Sequence, residues 1–174
     1  MTTALVVIDV QQAMFAMPGF RLHDGEAVVD RIADLIARAR EKRVPIFFVQ
    51  HDGGPDDPFH PGKPGFPFHA KLTPRADDNV TVKTKCNSFQ GTDLQTKLQK
   101  AGVDHLIVCG MQTEYCVDTA VRAAVERGYN VTFASDAHTT FDTPALKAVD
   151  IIAHHNATFD GSFADIRNAA QITF

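Results

Sequence analysis

Leu106-Ile107-Val108-Cys109-Gly110-Met111-Gln112-Thr113-Glu114-Tyr115-Cys116-Val117 joins an apolar run to a polar turn. The run 106–109 has the length and β-branched content of a buried strand, and Gly110 is expected to end it. Val117, Ala120, Val121, Ala124 and Val125 then fall on one helical stripe. A buried strand feeding an amphipathic helix is the repeating unit of an α/β fold. Thr113 suits an N-cap and Glu114 a first turn, which places Cys116 at the third helical position. Backbone N–H groups are free there, and a cysteine beside them loses its proton more readily. The competing reading is that Cys116 is only a small buried apolar residue.

The same unit recurs on both sides. Ala4-Leu5-Val6-Val7-Ile8-Asp9-Val10 is a continuous apolar run with one carboxylate near its end, as expected of a parallel strand covered on both faces. Gly25 to Arg43 reads as a helix with Val28, Ile32, Leu35, Ile36 and Ala39 inward, and Pro45 to Val49 as the next strand, ending at Gln50-His51-Asp52. Val80-Thr81-Val82-Lys83 alternates like a short strand. A helix from Thr92 to Ala101, the strand 104–109, and a strand Tyr129 to Ala134 follow. Pro144 fits the first position of a last helix running to about His154, with Leu146, Val149, Ile152 and Ala153 inward, and Ala157 to Phe159 reads as a short final strand. The segment Phe15 to His23 reads as a loop, and Asp160 to Phe174 carries little pattern. These elements predict one domain over 1–174: a doubly wound three-layer α/β sandwich with a mostly parallel sheet of five or six strands.

Composition narrows the function. Hydrophobic residues make up 44% of the 174 residues and charged residues 22%, an ordinary globular balance. A net charge of −4 without basic clusters argues against nucleic acid, and no apolar run approaches the ~20 residues of a membrane span. The N-terminus lacks a basic leader. The three cysteines, 86, 109 and 116, have no paired spacing and suit free thiols in a reducing compartment, so a cytoplasmic protein is expected. No phosphate-cradling glycine loop follows the first strand, where Val10-Gln11-Gln12 stands, which disfavours a flavodoxin-like binding module.

Ligands of open α/β sheets bind beyond the carboxyl ends of the strands. Asp9, Lys83 and Cys116 all sit at or just past such ends. A thiol needs a base for its proton, a buried carboxylate can be that base, and an ammonium stabilises the thiolate. The set fits covalent acyl transfer. The longest irregular segment, Gly53 to Arg75, is rich in proline, glycine and phenylalanine and reads as a lid or pocket wall, since disordered segments are poor in aromatics. Phe15, Phe20, His51, Phe59, Phe66, Gln112, Tyr115 and His138 are the expected substrate-binding wall, suited to a small organic amide or cyclic imide. An alternative function is thiol-based peroxide sensing by Cys116, but it gives Asp9 and Lys83 no role.

Val7-Ile8-Asp9-Val10-Gln11, Lys83 after a short strand, and Gly110 to Val117, in that order, resemble the isochorismatase-like cysteine hydrolases, which include nicotinamidases. Asp136-Ala137-His138 and the helix before Asn156 are similar too. The resemblance implies Asp9 as base, Lys83 as its positioning partner and Cys116 as nucleophile. It also implies a cis peptide at Met111–Gln112 that turns the Gln112 and Cys116 amides toward an oxyanion, and a homo-oligomer, dimer or tetramer. Nicotinamidases carry an Asp-x-His metal motif after the second strand. Here that position reads Gln50-His51-Asp52-Gly53-Gly54, so neither metal nor other cofactor is expected. The Gln112-Thr113-Glu114-Tyr115-Cys116 stretch looks most like uncharacterised and streptothricin-hydrolase-like members, and the expected partner is a small amide-type substrate.

Overall fold

The computed structural model describes all 174 residues. Six strands, β1 (Thr3–Ile8), β2 (Ile46–His51), β3 (Asn79–Lys83), β4 (His105–Met111), β5 (Asn130–Thr139) and β6 (Asp165–Arg167), form one sheet in the order β3-β2-β1-β4-β5-β6. Every neighbouring pair is parallel. The helices are α1 (Gln12–Ala16), α2 (Gly25–Glu41), α3 (Leu94–Lys100), α4 (Asp118–Val125) and α5 (Ala148–Phe159).

Alternate residues of each strand face opposite layers. Leu5, Val7, Phe48, Ile107 and Cys109 pack with Val28, Ile32, Leu35 and Ile36 of α2. Ala4, Val6, Ile8, Phe47, Val49, Leu106 and Val108 pack with Leu94 and Leu98 of α3, Val121 and Ala124 of α4, and Phe159 of α5. Phe47 and Phe48 are adjacent in β2, are at most 1% exposed, and anchor opposite faces. Each contributes about 1.5–3 kcal/mol by leaving water. The result is the three-layer, doubly wound sandwich expected from the alternation of strands and crossover helices.

Several local expectations are corrected. β4 does not stop at Gly110 but continues to Met111, because Gly110 at φ +129° lies against β1. A Cβ there would sit 2.1 Å from the Ile8 carbonyl oxygen, so only glycine lets the two central strands stay in register. β5 runs on to Thr139. Phe15 lies in the short helix α1 rather than in a loop. α5 starts at Ala148, not near Pro144, because the Asp142 carboxylate accepts from the Ala148 amide. It extends through Phe159, which is fully buried, so no strand forms at 157–159 and the last strand is Asp165–Arg167. The inward residues of α5 are Ala148, Ile151 and Phe159, while Leu146 and Val149 are about half exposed.

The order of strands reverses between β1 and β4. Their carboxyl ends therefore flank the crevice where an open sheet receives ligands. Asp9 directly follows β1, and the turn after β4 carries Cys116.

Candidate active site

Asp9 takes a left-handed backbone conformation at φ 50° and its side chain is fully buried. Lys83 ends β3, two strands away from β1, or about 10 Å at ordinary strand spacing. Its apolar stem spans β2, and its ammonium reaches 2.7 Å from Asp9 Oδ2 and 3.1 Å from Cys116 Sγ. The third contact of Nζ is His51 Nδ1 at 3.4 Å. An ammonium has only protons to offer, so Nδ1 of His51 accepts and the His51 ring is neutral, with its proton on Nε2. The Lys83 and Asp9 side chains are both 0% exposed. The angle at their contact falls outside hydrogen-bond geometry, which leaves both Asp9 oxygens without a well-directed donor.

Burial pushes the Asp9 carboxyl above the usual range, against the opposing pull of Lys83 and Cys116. Burial and the Asp9 charge push the Cys116 thiol up, and Lys83 only partly offsets them. Burial acts to lower Lys83, but Asp9 and Cys116 outweigh it and hold the ammonium charged. Burial and then Lys83 lower His51. One ammonium thus faces two acids that both resist ionisation, so Asp9 and Cys116 share one proton and titrate as a unit. This corrects the expectation that a helix start makes Cys116 a ready thiolate. Cys116 does sit in the first helical turn, since the π-helical turn Thr113–Val117 runs directly into α4, but burial and Asp9 outweigh that position, and Thr113 makes no capping bond.

The Thr113 hydroxyl instead donates to Nδ1 of His138 at 2.8 Å. His138 Nε2 lies 3.1 Å from Asn156 Oδ1, and the Asn156 amide nitrogen donates to the Ser135 carbonyl at 3.0 Å. That orientation leaves Oδ1 as acceptor, so the His138 proton is on Nε2. His138 is 1% exposed and packs on Phe133 with ring centroids 4.4 Å apart. Burial lowers its pKa to about 4. His138 was expected in the substrate wall. It is a neutral interior group that ties the cysteine turn to β5 and α5.

The isochorismatase domain matches residues 3–159. The chain belongs to this family. It is 41% identical over 142 residues to an uncharacterised isochorismatase family protein, YddQ, of Bacillus subtilis, covering 80% of this chain and 79% of the relative. It is 38% identical to a streptothricin hydrolase of Streptomyces noursei over 82% of this chain, but the match spans only about half, 51%, of that relative. A solved cysteine hydrolase of Pseudomonas syringae pv. phaseolicola superposes with a TM-score of 0.89 at 27% identity, covering 98% of this chain and 90% of that one. The family fold is therefore present over nearly the whole chain.

Around this family centre the expected wall residues separate into groups. Phe20, Gln112 and Tyr115 line a cavity of about 280 Å³ beside the Cys116 turn, together with Glu114 and Phe141. Phe15 and Phe20 line a larger groove of about 690 Å³, which shares Phe20 and Asp142 with the first but contains none of Asp9, Lys83 and Cys116. The smaller cavity does not include those three side chains either, but Gln112, Glu114 and Tyr115 of the turn that carries Cys116 line it, which makes it the better candidate. His51 and Phe59 stand on the Lys83 side, their rings 5.9 Å apart in an edge contact. Phe59 is 6% exposed and belongs to the core, so its ring is not an open wall. Phe66 is half-buried, and its carbonyl accepts from both Gln11 and Gln50 at 2.8 Å.

Gln11 escaped sequence reasoning as a site residue. It is fully buried, donates to the carbonyls of His51 and Phe66, and accepts from the His51 amide at 2.8 Å. The amides of Gln12 and Ala13 hold the carbonyls of Pro67 and Gly65. The proline-rich segment is thus fastened across the end of β1. The available signal was a buried-type position, directly after an apolar strand, occupied by an amide. No group of three or more His, Cys, Asp or Glu side chains is placed to hold a metal, and Asp52 is engaged by His60 at 2.9 Å and by the Gly54 amide. The three cysteines are free: Cys86 is exposed, and Cys109 is buried in β4. No helix is long and apolar enough to cross a membrane.

Proposed function

We propose that the chain is a cysteine-dependent hydrolase that cleaves a C–N bond of a small amide or cyclic amide through a thioester. The observation that carries this reading is the contact of one buried ammonium with both Asp9, at 2.7 Å, and Cys116, at 3.1 Å, at the carboxyl ends of the central strands. The family supports a hydrolase, and the similarity to a streptothricin hydrolase and a cysteine hydrolase supports an amide and a thiol.

The Cys116 proton passes to Asp9 as sulfur adds to the substrate carbonyl carbon. Lys83 stays charged and offsets the negative charge as it moves from carboxylate to sulfur to oxygen. The amides of Gln112 and Cys116 are assigned to the developing oxyanion. The C–N bond breaks, and the nitrogen leaves with the proton from Asp9. Asp9 then takes a proton from water as the water oxygen adds to the thioester, the C–S bond breaks, and the proton returns to sulfur. Burial suits Asp9 to both directions of transfer, because a carboxyl with a raised pKa gives its proton back readily.

The chain is read as one domain over 1–174, working without a metal as a cytoplasmic homo-oligomer, dimer or tetramer. Free thiols support the compartment. Thiol-based sensing is not favoured by any contact found, since Asp9 and Lys83 would have no task in it. A hydrolysis screen over small amides, ureas and lactams, read by ammonia release for the first two and by product mass for the lactams, with hydroxylamine trapping of the acyl-enzyme, tests the proposal. Turnover that disappears in Cys116→Ala is expected; turnover that survives it would overturn the reading.

A further inference from the structure

The cavity beside the Cys116 turn has one charged group without a counterpart. Glu114, two residues before Cys116, accepts from the Thr140 hydroxyl at 2.9 Å through Oε1. Its Oε2 is shielded from solvent and has no hydrogen-bond partner. Thr140 in turn accepts from Gln112 Nε2 at 3.4 Å, so the carboxylate is held in a fixed position against the turn. The other acid of the cavity, Asp142, is already satisfied by Lys147 at 2.8 Å and by the Ala148 amide. Three rings line the same space: Phe20, Tyr115 and Phe141. Phe20 and Phe141 meet edge to face at 5.8 Å. Phe20 is 60% and Tyr115 51% exposed, unusually open for aromatic side chains.

A shielded carboxylate oxygen without a donor is unfavourable unless something completes it. Aromatic faces around a carboxylate attract a cation, which the ring quadrupoles and the charge stabilise together. We infer that the cavity selects small amides carrying an ammonium or guanidinium group, with Glu114 as the specificity-determining residue. The inference rests on Cys116 as the nucleophile, which follows directly after the lining residues Glu114 and Tyr115 in the same turn. The volume of about 280 Å³ limits the substrate to a small molecule. A neutral amide would leave the Glu114 oxygen unpaired, and an anionic one would be repelled.

Two chloroacetamides of equal size test this at the cysteine itself: N-(2-aminoethyl)chloroacetamide, a cation, and N-propylchloroacetamide, which is neutral. Cys116 sulfur displaces chloride and forms a C–S bond with either, and peptide mass reports the rate at each cysteine, with exposed Cys86 as internal reference. The cation is expected to label wild-type Cys116 about tenfold faster than the neutral reagent, relative to Cys86. That ratio should fall to near one in Glu114→Gln and persist in part in Glu114→Asp, which keeps the charge. A wild-type ratio near one, or a ratio retained in Glu114→Gln, overturns the inference and leaves the proposed function standing. If neither reagent labels Cys116 at all, the cavity does not lead to the sulfur and the inference fails, whereas failure of the proposed function is read separately, as turnover that survives Cys116→Ala.

Discussion

The Thr113 hydroxyl and the His138 ring meet 2.8 Å apart in the protein interior, so the turn that carries Cys116 is tied to β5 instead of being capped by its own residues. Burial keeps the imidazole neutral, so with its proton on Nε2 the ring accepts from Thr113 at Nδ1.

His138 therefore links stability to pH. Its pKa is about 4 in the folded chain against an ordinary 6.5. Between those values the unfolded chain binds more protons, so stability rises with pH through the window, is complete above about 6.5, and is lost as pH falls toward 4. The shift corresponds to about 3 kcal/mol. His138→Phe should flatten this part of the slope and cost about 1–3 kcal/mol at neutral pH, because Thr113 and Asn156 lose their partner. Urea midpoints at pH 4.5, 5.5 and 7 measure both effects. An unchanged slope in the variant would refute the assignment.

Reactivity of Cys116 should separate from turnover. Asp9→Asn removes a negative charge that raises the thiol, so iodoacetamide labelling of Cys116 should be equal or faster near neutral pH while hydrolysis falls by roughly 10²–10⁴-fold. Lys83→Met removes the only cation touching the sulfur and should slow labelling. Cys109, whose thiol burial also raises, should stay slow throughout. Labelling against pH, read by peptide mass, distinguishes these outcomes. Full turnover in Asp9→Asn is incompatible with the proposed roles.

Gln11→Leu should loosen the proline-rich segment. The change strips partners from the His51 carbonyl and amide and shares the loss at the Phe66 carbonyl with Gln50. Each buried backbone group left unpaired costs about 1–3 kcal/mol. Faster proteolysis within 53–69 and a raised KM are expected. A segment that stays protected in the variant would show that other contacts hold it.

Activity should survive exhaustive chelation. His51 Nδ1 is occupied by Lys83, and Asp52 Oδ1 by His60 and the Gly54 amide, so the residues after β2 are committed to contacts within the chain. Turnover with and without chelator, followed by re-addition of zinc or iron, is the measurement. Loss on chelation with recovery on one metal would contradict this reading.

The layered fold was legible because strand and helix periodicities are local. The run Ala4 to Ile8 must be covered on both faces, and Val28, Ile32, Leu35 and Ile36 must face one way, whatever lies beyond them. The same logic located Asp9, Lys83 and Cys116 at strand ends. Periodicity was least informative where a partner outside the segment decides the structure. Thr113 looks like a cap in isolation, yet His138, 25 residues away, takes its hydroxyl. Phe159 looks like a strand residue after Ala157-Thr158, yet it extends α5 because its ring is fully buried against the second core layer.

What the sequence by itself determined is therefore the alternation of buried strands and amphipathic helices, the order of the chemistry-bearing residues and their position at the rim. Those features follow from covalent neighbours at spacings of two to four residues. The tertiary structure alone decided which of those residues share a proton, which way His138 faces, and that Glu114 stands uncompensated beside three rings. Such properties depend on charge, burial and donor geometry between segments far apart in the chain. Lys83 shows the division: its place at the end of β3 is set locally, but its ammonium is held charged only by Asp9 and Cys116, brought to it across the sheet.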